Sequence, residues 1–507
     1  MGLNSSDAQR QPKSAKRELL CVTIGAALAK QLYPGDGHDA AAYTYCIHSA
    51  GDGGQTNGCL ASDSPGVYQM AQPNCDNYDT SGVSSTSWSS SNSNSSSNSS
   101  QTSTSTSSNS HTPHHHPRPN KPIYMTTNRP STSKTNIKPN LHIPTFSDAQ
   151  SWQIISHLAS QYGHVSHMGL LDRSHHFFIN RSGTGALAYK LQDHVAIISG
   201  HPLCPPDLFT SVLDEFDLLR RFFGLRMVFM GAGDMFASYA RQHRRWTTMQ
   251  FGVERVVNPL ANEVLSERAG KRLITQNKQL LSPVKGGVTL GVYMPRRSSS
   301  GQAEDPALEK ELQALYDGWR EQRNSSASAA SPQPFITVYH LFEFAGLMIF
   351  VYARGPGGAV IGLAGLRWVG ANQGYHLDPC IAGVGAPKGV SDLLAFAAMA
   401  LLRELRVPYL SLGFEPLQRL GEVEGMAPPL ERISRSLYDH FVRHWPVDGK
   451  KAYNDKFRPE RELESGLYMV FPSALPGPRQ LVAIAHMANI SIRRFALTGY
   501  KSGGSKR

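Results

Sequence analysis

Cysteine is scarce, with six in 507 residues. Cys21, Cys46, Cys59 and Cys75 lie ahead of the stretch expected to fold, and Cys204 and Cys380 stand far apart within it. Neither a disulfide framework nor a zinc spacing can be drawn from that pattern, which suits a reducing, cytoplasmic setting. Long apolar runs are missing too. The longest one near the N-terminus, residues 19–32, is interrupted by Lys30 and falls short of the ~20 residues that span a bilayer. A long polar segment precedes it, so it makes a poor secretory leader, and any membrane contact is expected to be peripheral. Charge is sparse, at 18% of residues, but it is one-sided: Lys+Arg 50 against Asp+Glu 39 gives a net +11. Residues 1–140 hold 10 basic and 8 acidic side chains, so most of the surplus lies in the remainder. Such a surplus suits a polyanionic partner, either nucleic acid or an anionic membrane face.

Residues 81–110 are almost entirely Ser, Asn and Thr, followed by His114-His115-His116 and a Pro-rich stretch to Pro144. Nothing there offsets backbone ordering by burial, and residues 1–145 are expected to form a disordered extension. The histidine cluster reads as part of that solvated tract, and no metal site is expected. Order should begin near Phe146. A helix over 151–162 precedes short strands at 177–179, 185–191 and 194–199. Leu208, Phe209, Val212, Leu213, Phe216, Leu219 and Phe222 then recur at helical steps and stop at Gly224. A strand over 225–230 and helices over 235–242 and 263–281 complete this half. After a charged, Ser-rich break at 296–305, the second half reads as a helix over 306–323 and strands at 335–340, 347–353 and 360–369. Residues 354–358 form a hairpin turn between the last two strands. A strand over 375–381, a glycine-rich loop, an apolar helix over 391–405, a strand over 409–413 and a helix over 431–445 come next. Strands alternating with helices give an α/β (α+β) class in two halves, with boundaries at 146–300 and 301–478 and a basic amphipathic tail over 479–507.

The loop Gly383-Val384-Gly385-Ala386-Pro387-Lys388-Gly389 leads into the apolar helix and would place free backbone N–H groups and a helix's positive end at the mouth of the sheet. Gly385, Lys388 and Gly389 are candidates for an anion-binding loop, although such loops are as often purely structural. An acyl-coenzyme A reader would carry its Arg/Gln-x-x-Gly-x-Gly/Ala pattern at this junction. The one match, Arg354 to Ala359, falls in a hairpin instead, which counts against coenzyme A.

Three segments of the second half, in this order and spacing, resemble the C-terminal catalytic domain of bacterial phosphatidylglycerol lysyl- and alanyltransferases. They are Ala386-Pro387-Lys388-Gly389-Val390-Ser391-Asp392-Leu393, Tyr409-Leu410-Ser411-Leu412-Gly413-Phe414-Glu415-Pro416-Leu417 and Lys451-Ala452-Tyr453-Asn454-Asp455-Lys456-Phe457-Arg458-Pro459. Met249-Gln250-Phe251-Gly252-Val253-Glu254 and Gly270-Lys271-Arg272-Leu273 match more loosely. The resemblance implies tandem GNAT-like acyltransferase domains that move an amino acid from aminoacyl-tRNA, the donor, to a lipid hydroxyl, with no cofactor. The family's usual Trp-Glu-Pro-Arg-Tyr-Leu stretch is replaced by Glu460-Arg461-Glu462-Leu463, and no flippase or aminoacyl-tRNA synthetase segment is recognised. In build the chain is similar to fungal stand-alone ergosteryl-glycine synthases. That similarity implies glycyl-tRNA as donor, ergosterol as acceptor and a synthetase as a possible partner. The alternatives are phosphatidylglycerol as acceptor, or a non-catalytic tRNA- or RNA-binding module.

An aminoacyl ester is already activated, so the protein has to align hydroxyl and carbonyl, move a proton and steady an oxyanion. Asp392 either holds the substrate's α-ammonium, serves as base, or merely stabilises a helix N-terminus. Ser411 donates to the reacting carbonyl or bonds within its strand. Glu415, before Pro416, is a base or a solvated turn carboxylate. Lys456 contacts RNA or the transition state, or belongs to a solvated face, with Lys450, Lys451 and Arg458 nearby. With Lys271, Arg272 and Lys278, the cations Lys451 and Arg458 make up the expected tRNA-binding set. His376 and Asp378 read as a structural pair on a strand. Two devices for membrane attachment are also suggested. Gly2 fits a myristoylation pattern with Cys21 as a palmitoylation candidate, and Leu481, Ile484, Met487, Ile490 and Phe495 with Arg493, Arg494 and Lys501 could form a helix lying on an anionic surface or packing back on the domain.

Overall fold

A computed structural model describes residues 19–33, 149–296, 304–326, 338–443 and 448–487. Among these residues twelve strands form a single sheet: β1 (His176–Ile179), β2 (Ala186–Gln192), β3 (Val195–Ser199), β4 (Arg226–Ala232), β5 (Thr247–Val257), β6 (Thr289–Tyr293), β7 (Met348–Arg354), β8 (Val360–Val369), β9 (Gly374–Ala382), β10 (Leu410–Pro416), β11 (Val423–Glu424) and β12 (Ser465–Phe471). The helices are α1 (Leu20–Leu32), α2 (Ala149–Tyr162), α3 (Phe209–Phe222), α4 (Asp234–Arg241), α5 (Lys271–Leu281), α6 (Pro306–Ser326), α7 (Val390–Glu404), α8 (Pro428–Arg443), α9 (Asp448–Asn454) and α10 (Pro478–Met487). The mixed α/β class expected from the alternation of elements is the one found.

The strand order is β1-β2-β3-β4-β12-β5-β10-β9-β8-β7-β6, with β11 beside β5. Each half contributes antiparallel strands leading to one parallel pair joined by a helix: β3 and β4 through α3, and β9 and β10 through α7. The halves then exchange their closing strands. β5 leaves the first half to pair with β10, and β12 returns from the second half to pair with β4. A chain boundary at 300 therefore divides elements that the sheet joins, since β6 lies at the far edge beside β7.

Burial on both faces explains why the strands run apolar without alternation. Ala196 and Ile198 of β3 join α3 and α4 in a cluster with Phe209, Phe216, Phe229 and Phe236, while Val195 and Ile197 face Ala483 of α10. α10 thus packs on the sheet through Ala483, Ile484 and Met487, leaving Leu481 exposed. Ile490, Arg493, Arg494, Phe495 and Lys501 lie outside the described residues.

α7 is apolar all round, as a helix covered on every side must be, and from Leu393 to Leu402 all its side chains are buried. Its cover corrects the expectation that residues 1–145 are wholly disordered. α1 lies along α7, burying Cys21, Ile24, Leu28 and Leu32 in the main core. A Cβ on Gly25 would stand 2.6 Å from the carbonyl oxygen of Ala400, so only glycine permits this approach. Gln31 ties the helix to the sheet edge by donating to the Leu290 carbonyl at 3.4 Å and accepting from the Val292 N–H at 3.1 Å. Cys21 is 1% exposed, which removes it as a palmitoylation site. Gly2 lies outside the described residues.

Further elements depart from expectation. The helix expected over 263–281 begins only at Lys271, because Gly270 takes a left-handed conformation (φ 70°) that ends the preceding turns. Of the strand expected over 335–340, only 338–340 is described, and it is not a strand. β5, β6, β11 and β12 are strands where the sequence pattern predicts none.

Candidate active site

The parallel pair of the second half is short. β9 and β10 are in register only at Tyr375 with Leu410 and at His376 with Ser411. Beyond that point β10 shifts register against β5 between Ser411 and Phe414, and Gly413 adopts φ 84°. The fully buried Ser411 hydroxyl accepts the Gly413 N–H at 3.0 Å and so pins the bulge. The strands part into a wedge at the carboxyl end of a parallel pair, where open α/β sheets place their ligands.

Polar groups line this wedge. A Cβ on Gly413 would lie 3.1 Å from Nε2 of His376 and 3.2 Å from Nζ of Lys450, so both side chains close over one point. His376 is buried, and burial holds its ring well below the usual histidine range, helped by the charges of Arg367 and Lys450; it is neutral. Burial raises Asp378, against the pull of the Tyr339 hydroxyl, which donates to it at 2.5 Å, and of Lys450 and Arg367. Beneath them the fully buried Arg367 donates to the carbonyls of His164 (3.2 Å) and Val165 (3.0 Å). On the β5 side, burial raises Glu254, which accepts from Tyr409 at 2.5 Å and Ser465 at 3.3 Å.

The segment from α9 to the 3-10 turn Asp455–Phe457 brings three lysines to this region. Phe457 is fully buried, and its carbonyl accepts from the Asn262 amide at 2.9 Å, which fixes the turn. Lys456 then reaches both oxygens of Asp392, at 3.0 and 2.9 Å, while lying 5.0 Å over the Tyr453 ring. Lys451 meets Glu415 at 3.2 Å. Glu415 is a buried residue of β10 rather than a solvated turn carboxylate, and its other oxygen lies 3.4 Å from Nε of Arg255. Arg255 is a hub, donating also to Glu464 at 2.7 Å and Asp455 at 2.9 Å. The Asp392 and Lys456 side chains are 13% and 45% exposed, so their pair can contribute only modestly to stability and remains reachable by a substrate.

Sequence motifs separated by up to 64 residues thus converge: Asp392, Ser411, Glu415, Lys451 and Lys456 all border the same end of the sheet. Gly385 (φ 77°) and Gly389 (φ 96°) shape the loop before α7, and the Gln276 amide of α5 donates to the Lys388 carbonyl at 2.9 Å. Lys388 and Arg458 are exposed. Lys271 and Arg272, with Thr275, Gln276 and Gln279, line an open cleft of about 510 Å³ on α5, which holds none of the carboxylates. Lys278 is engaged elsewhere. It pairs with Glu267 at 3.1 and 3.2 Å, and Glu267 also accepts the Leu20 N–H at 3.1 Å, so this lysine helps to seat α1. Arg255, Glu254, Arg367 and Tyr339 have no place in the site as read from the sequence. The adjacent charges of Glu254 and Arg255 inside an otherwise uncharged strand are the available signal, since such residues are buried only with partners.

Among the described residues no helix is long and apolar enough to cross a membrane, and no group of His, Cys, Asp and Glu is arranged to hold a metal ion.

A family model described as phosphatidylglycerol lysyltransferase, C-terminal, matches residues 156–470, which include every residue of this site. A lysylphosphatidylglycerol biosynthesis bifunctional protein of Rhodococcus jostii is 25% identical over 284 residues, covering 55% of this chain and 24% of that protein. An MprF-like domain protein of Mycobacterium tuberculosis is 24% identical over 272 residues, 52% of each chain. The chain thus spans about a quarter to a half of the length of these relatives. Two solved structures share the fold, each with a TM-score of 0.50. The C-terminal domain of a putative lysylphosphatidylglycerol synthetase from Agrobacterium fabrum is 21% identical, covering 68% of this chain and 96% of that one. L-PGS from Bacillus licheniformis is 16% identical, covering 70% and 99%.

Proposed function

The chain belongs to the phosphatidylglycerol lysyltransferase C-terminal family, and we propose that it transfers an amino acid from aminoacyl-tRNA to the hydroxyl of a membrane lipid, phosphatidylglycerol being the leading acceptor. The observation that carries this reading is the meeting of Asp392 with Lys456 and of Glu415 with Lys451 beside the β9–β10 wedge, from three segments that are far apart in the chain. Transfer from one ester to another is nearly balanced in energy, so alignment, proton movement and charge stabilisation are sufficient chemistry. Asp392, freed from Lys456 as substrate enters, receives the α-ammonium of the aminoacyl group. Lys456 then faces the oxyanion or the terminal phosphate of the tRNA. Lys271, Arg272, Lys451 and Arg458 give the acceptor end a cationic approach, and the +11 net charge suits both tRNA and an anionic bilayer met peripherally from the cytoplasmic side. An aminoacyl-tRNA synthetase is the natural supplier of the donor.

Acceptor and amino acid are the finer parts of the proposal. The names of the relatives favour phosphatidylglycerol and lysine, and glycine with ergosterol is the other pair to be tried. Radiolabelled lysyl-, alanyl- and glycyl-tRNA, each offered with vesicles containing phosphatidylglycerol or ergosterol, separates these possibilities. Label in phosphatidylglycerol is the expected result. Label in sterol alone would replace the acceptor, and tRNA binding without any lipid product would leave a non-catalytic tRNA-binding module.

A further inference from the structure

Three lysines of α9 and the turn after it lie among three acids: Lys451 meets Glu415, Lys456 meets Asp392, and Lys450 feels the charges of Asp378 and Glu415. The first two are ion pairs. Lys450 makes no hydrogen bond or ion pair among the described residues, although its ammonium reaches over Gly413, to the same point as His376. By area the residue as a whole is exposed, and its ammonium reaches the point above Gly413. The groups facing it are known from each neighbouring element. β9 presents neutral His376 and Asp378, and the Tyr339 hydroxyl occupies one oxygen of that acid. β10 presents Glu415, already engaged by Lys451 and Arg255, and β8 adds the positive charge of Arg367.

Resting on the aminoacyl-transfer reading above, we propose that Lys450 carries the proton of the reaction, taking it from the acceptor hydroxyl and returning it to the leaving ribose oxygen. Lys450 enters the step as a free amine. As the acceptor oxygen forms its bond to the ester carbonyl carbon, its proton moves to Nζ. When the bond between that carbon and the ribose oxygen breaks, the same proton passes to the ribose oxygen. The amine is restored, no proton is gained or lost overall, and no other reactant is needed. An amine can do this only if burial makes its charged form costly, and burial does hold the Lys450 ammonium below the usual lysine range against the opposing pull of Asp378 and Glu415. Gly413 matters for the same reason, since a Cβ there would crowd Lys450 and His376, at 3.2 and 3.1 Å, and strain the left-handed backbone.

The test uses the full chain with the labelled aminoacyl-tRNAs and vesicles described above. Lys450→Arg keeps the positive charge but cannot give up its proton, and it should lose transfer by about 100-fold or more while retaining tRNA on a filter. Lys450→Ala should fall as far and regain transfer with added ethylamine, in proportion to the free base. On the wild-type protein, the reactivity of Lys450 with acetic anhydride, followed by mass spectrometry against pH, should titrate below that of the exposed Lys310. This reading needs no variant to fold. An Arg variant within about threefold of wild type and with an unchanged pH profile would show that charge alone is used, and would overturn the proposal while leaving aminoacyl transfer standing. Co-titration of Lys450 with Lys310 would overturn it as well. Wild-type protein that binds tRNA and labels no lipid would remove both readings together.

Discussion

In the first half of the sheet β3 and β4 stay paired over five residues, from Val195 with Arg226 to Ser199 with Met230; in the second half β9 and β10 pair over two and part. The carboxyl ends of the two pairs differ accordingly. The first pair ends at Gly200 and Gly231, both left-handed, and is closed by Ser166, whose hydroxyl would stand 2.6 Å from a Cβ on Gly200. Two buried histidines, His167 and His201, and the half-buried His164 plug that end, with the His201 ring 4.6 Å from His164 and 5.4 Å from His167. The His164 N–H donates to Nδ1 of His167, whose Nε2 therefore carries the proton given to the His201 carbonyl; the ring is neutral. The second pair opens onto paired lysines and carboxylates. α3 has no acid in its first turn, whereas α7 carries Asp392. One topological unit, used twice, is a filled support in one copy and an open site in the other.

The largest effect should separate the two helix starts. Asp392→Asn and Lys456→Ala should each lower transfer at least ~100-fold with folding retained. Asp207→Asn, in the exposed turn before α3, should change it by no more than about twofold. Equal losses at both places would erase the distinction between support and site.

The outer faces of the two helices give the next contrast. α7 is covered by α1, while α3 leaves Leu218 55% and Phe222 64% exposed. Gly25→Leu should therefore cost about 1–3 kcal/mol by forcing α1 from its seat. Leu218→Ala should stay within about 0.5 kcal/mol. Thermal unfolding of both variants measures this, and an indifferent Gly25→Leu would mean that α1 is not part of the stable core.

A smaller effect should report on the plug. Burial lowers His164 to about 4 and His167 to about 3, so the unfolded chain binds more protons than the folded one once pH falls below the ordinary histidine value of 6.5. The stability from these rings is fully present above pH 6.5 and is lost progressively toward pH 4 and then 3. The melting temperature should fall by several degrees over that window, and less steeply in His164→Gln. Identical slopes for the two proteins would mean that the histidines titrate freely.

The smallest effect concerns tRNA. Lys271→Ala and Arg272→Ala should each flatten the salt dependence of tRNA affinity by roughly 0.7–0.9 log units per log unit of salt. Lys278→Ala should leave that slope alone, because its ammonium is held by Glu267. A slope that changes with Lys278 and not with the other two would move the tRNA track off the open face of α5.

Much of this is readable along the chain because it is local. The apolar periodicity of α3, the glycine stop at Gly224 and the run of α7 follow from burial and backbone geometry within one helix. Asp392, Ser411, Glu415 and Lys456 can be named from three short segments. Their arrangement cannot, since Glu415 looks like a turn acid until Arg255 and Lys451 are seen to enclose it. Lys278 resembles any other cation of a basic helix until Glu267 is found beside it.

What the sequence by itself determined is therefore composition by element: which stretches can be helix or strand, that α7 must be covered on all sides, and which side chains carry chemistry. Only the tertiary structure decided that α1 is the cover, that β5 and β12 change places between the halves, and that β9 and β10 part at Gly413 to admit Lys450. The physical reason is that strand pairing and buried charge gain their energy from neighbours distant in the chain. Ser465 faces Glu254 across 211 residues, and nothing in either local sequence specifies that meeting.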